Sequence, residues 1–239
     1  MSTAPAPLRR GTALRLLLRH WVPVSCVAWC VLSAVALALT GASALLTARG
    51  PGAEGIIASY DTWVRAYCLV IGAHLTWHSL PLYVANSMTR RAFSRQALVF
   101  AVAISGFTAV LFTAGLGLEA GVYAAVGRPH DPGVGTLPFY LLESWPAHLV
   151  WLVAGASAAA CVYRFSARGL LVMPFVALLI LPADILVGRG TAALGTPQAF
   201  AVQPPALGWA VLVLLGIGAV GALLTWYLVR DVPIRPPAR

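Results

Sequence analysis

Lysine is absent from this chain of 239 residues, and acidic residues number seven, so only 10% of the chain is charged. Without lysine there is no Walker A phosphate loop, no lysine Schiff base and no lysine-assisted serine nucleophile. If ATP drives this protein, another subunit binds it. A soluble domain carries about 25% charged residues; here 60% are apolar, which excludes a water-soluble enzyme and marks membrane composition. Cysteine is scarce too. Cys26, Cys30, Cys68 and Cys161 all fall in apolar runs, so they make no disulfide framework and read as small core hydrophobes. All 16 basic residues are arginine, giving a net charge of +9. They fall in short clusters between apolar stretches, which argues against a nucleic-acid partner and for membrane orientation.

Six apolar spans are present, at 21–47, 63–85, 97–126, 147–163, 169–188 and 207–229. A helix rising about 1.5 Å per residue needs about 20 residues to cross roughly 30 Å of hydrocarbon. Most of the spans meet this; the fourth is the shortest. The first resembles a signal peptide in its preceding arginines and its Ala42-Ser43-Ala44, but it is too long for that role and reads as a retained span. Residues 8–20, LRRGTALRLLLRH, mix leucine with four arginines and suit a helix lying in the interface, its arginine stems reaching toward lipid phosphates. Twelve of the 16 arginines precede span one, lie between spans two and three or four and five, or come after span six. The positive-inside rule makes that side cytoplasmic and puts both termini inside. The fold class expected is all-α, an integral membrane bundle of six transmembrane helices with an N-terminal interfacial helix. Residues 1–20 form the cytoplasmic lead and interfacial helix, 21–229 the transmembrane domain and 230–239 a cytoplasmic tail. The outer segments 48–62, 127–146 and 189–206 are too short for a domain.

Several polar residues stand in or beside these spans. Asp61 precedes Arg65 by four residues at the mouth of span two, an acid-first helical pair worth a few tenths of a kcal/mol that trims the helix end. Glu119 falls toward the outer end of span three and is a candidate for a structural, gating or translocation role. Gly117 and Gly121 beside it form a small-xxx-small pair that can admit a neighbouring helix. His74 and His78 share one face of span two and offer two metal ligands, but no third accompanies them. The plainer reading is a polar seam facing other helices, and with Glu119 and Asp184 these two are the candidates for gating or translocation. Asp184 lies just after Pro182 in a span that prolines should bend; it caps freed amides or lines a path. Gly216, Gly218 and Gly221 match a dinucleotide fingerprint by letter, yet they lie in an apolar span without a preceding strand and read as a packing face.

The segment from Asn86 to Gln96 is the most informative. Ser87 or Thr89 can cap a short helix, Met88 and Phe93 offer apolar anchors, and Arg90, Arg91 and Arg95 give a basic face for an acidic partner. A purely topological role for these arginines explains the charge but not Phe93. The run Thr89-Arg90-Arg91-x-Phe93, set between the second and third of six spans, resembles the loop of small bacterial ABC-2 type transporter permeases. The basic N-terminal segment is similar to that family's interfacial helix. The resemblance implies a permease subunit of an ATP-binding cassette transporter, an exporter and not itself an enzyme. It implies that 86–96 is a coupling loop in which Met88, Thr89, Arg90, Arg91, Phe93 and Arg95 meet a separate ATPase subunit. It also implies that the ATPase binds ATP and Mg while this chain holds no cofactor. A second permease chain, identical or not, would complete the assembly in the lipid of the inner (plasma) membrane. The family's re-entrant hairpin before the last span is not matched, because Pro197, Pro204 and Pro205 break residues 189–206. Two rivals stand beside this reading: an intramembrane metal or haem enzyme using His74, His78, His148 and Glu119, and a non-transporting assembly or immunity protein.

Overall fold

The computed structural model describes residues 11–46, 57, 60–125, 127, 134–187 and 207–231. Among these, all regular secondary structure is helical. Helix α1 runs Thr12–Leu46, α2 Asp61–Ala85, α3 Arg90–Ala125, α4 Leu137–Phe165, α5 Met173–Val187 and α6 Leu207–Val229. Short 3-10 segments, Val134–Thr136 and Ser166–Val172, stand before and after α4. Five helices, all but α5, are long and apolar enough to cross a bilayer. At 15 residues α5 falls short of the usual ~20.

Three elements differ from the expected layout. The segment 12–20 is not a separate interfacial helix, because α1 continues unbroken for 35 residues with Pro23 inside it. A proline removes one backbone hydrogen bond and bends a helix without having to end it. The fourth span begins at Leu137, ten residues before 147, since Pro138 stands in the first turn, where its missing N–H costs nothing. It is the central helix, not the weakest: it packs against α2, α3, α5 and α6, and 78% of its most apolar stretch is buried, against 11% for α1. The expected loop 86–96 is only a four-residue turn, and its second half is the start of α3. The question of a hairpin at 189–206 lies outside the described residues.

Helix α2 changes pitch in its middle. Leu75–Ser79 form one π turn in which the Leu80 amide reaches back to the Leu75 carbonyl. Pro81, which has no N–H to give the regular ladder, sits just beyond it.

Between apolar helices in lipid, association comes from close packing, not from hydrophobic burial. The closest approach is between α2 and α4. A Cβ on Gly72 would stand 1.8 Å from the Leu152 carbonyl oxygen, and one on Gly155 would stand 2.0 Å from that of Leu69. Two glycines thus face each other's partner backbone, and no side chain fits at either. Gly117 and Gly121 do not play this part: Gly117 faces only a Leu137 methyl at 3.3 Å, and Gly121 has nothing within 4 Å. Gly218 and Gly221 do pack, against Leu149, Val150 and Val153, while Gly216 is open. Of the cysteines, Cys68 and Cys161 are buried, Cys26 is half-buried and Cys30 is exposed.

Gly72→Ala and Gly155→Ala should therefore lower thermal stability in detergent, by about 3 kcal/mol or more, the top of the usual overpacking range. Gly121→Ala should be neutral or stabilising by up to about 1 kcal/mol through helix propensity. Equal melting of all three variants would show that α2 and α4 do not meet at these glycines.

Candidate functional site

The i, i+4 spacing of Asp61 and Arg65 puts both on the face of α2 that meets α4, because Arg65 is seven residues, or two turns, from Gly72. His148 is likewise seven residues from Gly155 on α4. The crossing therefore brings these groups together. Arg65 is 2% exposed, with one guanidinium nitrogen donating to Asp61 Oδ2 and Nη1 donating to Asp184 Oδ1 of α5 at 2.8 Å. Trp151 Nε1 donates to the same Asp184 oxygen at 3.3 Å. The other oxygen of Asp61 faces His148 Nε2 at 3.6 Å. On the far side of the ring, Nδ1 lies 3.2 Å from Thr108 Oγ1 of α3, whose hydroxyl donates to the Ser105 carbonyl at 2.9 Å.

One guanidinium and one imidazole thus stand among two carboxylates, joining α2, α3, α4 and α5. In a medium without water such charges are held only by each other. Asp184 is accordingly an ion-pair partner and not a cap for amides freed by Pro182. The pair Asp61–Arg65, expected only to trim a helix end, is the core of a buried clasp.

The turn between α2 and α3 lies at the opposite end of α2, about 36 Å along the helix axis from Asp61 at ~1.5 Å per residue. It is stiff. Ser87 takes a positive φ of 66°; its amide bonds Val84 O, and that of Met88 bonds Tyr83 O, both at 3.1 Å, which closes α2 with a Schellman arrangement. Thr89 is the cap of α3, its hydroxyl accepting the Ala92 amide at 3.2 Å. Phe93 is buried and packs on Tyr83 at 5.6 Å between centroids. Met88 is buried as well, so these two anchor the turn inside its own bundle. Thr89, Arg91 and Arg95 are exposed. Arg90 donates to the Arg230 carbonyl past the end of α6 at 2.8 Å, and Gln96 Oε1 accepts the Leu14 amide of α1 at 3.1 Å. The turn is therefore tied to α1, α2, α3 and α6.

Above the turn, a groove of about 930 Å³ lies between α2, α3, α4 and α6. Its walls are mostly apolar, with Thr76, Ser94 and Thr225 among them, and Arg91 and Arg95 also line it.

No protein-family model, curated protein or solved structure matches the chain.

The remaining candidates are scattered. Glu119 is fully buried, and its Oε2 accepts the Ile57 amide at 3.0 Å; Ile57 in turn lies over Gly115. Glu119 thus fastens Ile57 to α3. His74 and His78 stand 5.1 Å apart by ring centroids, and Trp21 of α1 packs edge-on against His74 at 5.3 Å. His148 belongs to the clasp instead. Among the described residues, no three His, Cys, Asp or Glu side chains gather closely enough to hold a metal ion.

Arg65→Met leaves the Asp61 and Asp184 carboxylates without the guanidinium they share, and should cost about 3–5 kcal/mol of stability, as breaking buried pairs does. The triple variant Asp61→Asn, Arg65→Met, Asp184→Asn should recover part of that loss. Thermal melting in detergent measures both, and a single variant as stable as the wild type would mean that the clasp holds nothing.

Proposed function

We propose that this chain is the membrane-spanning permease subunit of an ATP-binding cassette transporter, acting as an exporter and driven by a separate ATPase. The observation that carries the reading is the α2–α3 turn, which offers Thr89, Arg91 and Arg95 outward while Met88, Phe93 and Arg90 fix it to its own bundle. A surface meant to receive a push needs exposed contact groups on a rigid lever, and this turn has both. Charged contacts of this kind set partner choice and encounter rate. Phe93 and Met88, expected as anchors for the partner, act instead within the lever, which leaves the arginines as the docking groups.

The two ends of the bundle support the same reading. At the turn end the helices enclose an apolar groove; at the other, Arg65 and its carboxylates hold α2 and α5 together. A bundle open at one end and clasped at the other has the asymmetry that alternating access requires. In this scheme the turn faces the cytoplasm, both termini are cytoplasmic, and Arg15 and Arg19, exposed on α1, lie among lipid headgroups. The partner binds ATP and Mg, a second permease chain completes the assembly in the plasma membrane, and Asp184 belongs to the outer gate.

Purified gently from its own membranes, the tagged chain should bring with it a subunit that hydrolyses Mg-ATP. Arg91→Glu should weaken that association by about 2 kcal/mol or more, some 30-fold, while leaving membrane insertion and melting unchanged. A wild-type preparation without ATP hydrolysis, full association of the variant, or labelling of Thr89→Cys from outside the cell would each overturn the proposal.

A further inference from the structure

The groove has a composition that selects its occupant. We propose that it holds an anionic phospholipid drawn from the leaflet on the arginine side, with acyl chain along the trough and phosphate at Arg91 and Arg95. The proposal engages the same Arg91 and Arg95 that the transporter reading gives to the ATPase, but it does not rest on that reading, since lipid retention is a property of the single chain.

Charge comes first. Arg91 and Arg95 are the only charged side chains among the described residues lining the groove, and no acid opposes them. Four residues apart near the start of α3, they share one helix face, about 6 Å apart along it. Guanidinium forks suit phosphate oxygens, and two of them match one phosphodiester. Shape agrees. Ala156, Gly218, Ala219 and Ala222 make the trough deep, because small side chains leave room beside the neighbouring leucines. Along α6 the lining runs from Leu215 to Val229, about 21 Å at ~1.5 Å per residue, whereas one leaflet's hydrocarbon is roughly 15 Å deep. One acyl chain and part of its headgroup fit that length.

Other anions fit less well. A peptide would bring backbone N–H and C=O groups into a trough with few partners for them, at a desolvation cost. Thr225, a polar side chain on the wall, is already bonded to Ser157 and to the Gly221 carbonyl. A free phosphate would engage the arginines and leave the apolar walls unused.

The test uses the purified chain without any ATPase, so its outcome is separate from that of the transporter experiment. The chain in detergent is given equal amounts of dioleoylphosphatidylglycerol and dioleoylphosphatidylcholine, and retained lipid is read by native mass spectrometry. One phosphatidylglycerol per chain should be retained over phosphatidylcholine by about tenfold. Arg91→Gln with Arg95→Gln should abolish the preference, and Ala219→Phe, at an exposed site that tolerates bulk, should reduce retention of both lipids. Arg168→Gln, an exposed arginine away from the groove, should change nothing. The proposal is overturned if the wild type shows no preference, if the preference survives loss of both arginines, or if Arg168→Gln lowers it equally. Displacement of the lipid by glycerol 3-phosphate at matched concentration would also overturn it, because the headgroup alone would then account for binding.

Discussion

The contact of α2 with α4 at Gly72 and Gly155 is the constraint on which the rest of the bundle depends. In lipid, an apolar side chain gains little by leaving its surroundings for another helix, so surfaces that touch must do so closely to be held at all. The two glycines let backbone meet backbone, each over the other helix's carbonyl. Because both helices keep their pitch before this point, the contact also fixes the residues one to three turns, about 6 to 17 Å, away. Asp61 and Arg65 on one helix and His148 and Trp151 on the other have no freedom to miss.

The clasp is a consequence of that placement and also its dependent. A buried ion pair contributes little net stability compared with apolar packing of the same shape, but a broken one is costly. Its value here is specificity. Helix α5 is short, with Pro182 inside it and apolar nearly throughout, so packing alone gives it many equivalent rotations. Asp184, bonded to Arg65 and Trp151, selects one. The same logic makes His148 more than a filler. It spans from Asp61 to Thr108 and so carries the clasp into α3.

Much of the helical layout is legible in the sequence because span existence depends on local apolar content, and the five helices long enough to cross a membrane fall where apolar runs predict them. The fourth is easily underrated because Glu143 and Pro146 interrupt its hydropathy, although a helix with Pro138 in its first turn tolerates both. The clasp is not legible, for a different reason. Asp61, Arg65, His148 and Asp184 are single polar residues on three separate apolar helices, and only a tertiary contact says which face meets which. The one signal is their sum: ionisable groups are costly in apolar spans and need polar partners there, and opposite charges are the natural ones. Gly72 and Gly155 carry little signal, because small residues four apart, such as Gly155 and Ala159, recur along these helices, whereas Gly117 and Gly121 have the clearest such pattern and not the contact. At the turn, Thr89 as a cap is readable from residue type, but the burial of Met88 and Phe93 is not.

The difference between the two ends of the bundle has a local cause in α2. Up to Leu75 its regular pitch keeps one face on α4, from Arg65 through Cys68 and Gly72. The π turn at Leu75–Ser79 then inserts a residue, which rotates the remainder of α2 by roughly 100° relative to a continuous α-helix. Leu80 and Tyr83 are thereby buried in the core that also holds Met88 and Phe93, and Tyr83 packs directly on Phe93. The turn gains its stiff anchor from this shift. The groove takes its α2 wall from Leu75, Thr76 and Leu80, residues that straddle the bulge, while α6 opposite presents Gly218, Ala219 and Ala222. A straight α2 would keep its α4-facing stripe along its whole length and send Tyr83 elsewhere. The proline just past the π turn thus links the stiff turn to the open groove, and the two features stand or fall together.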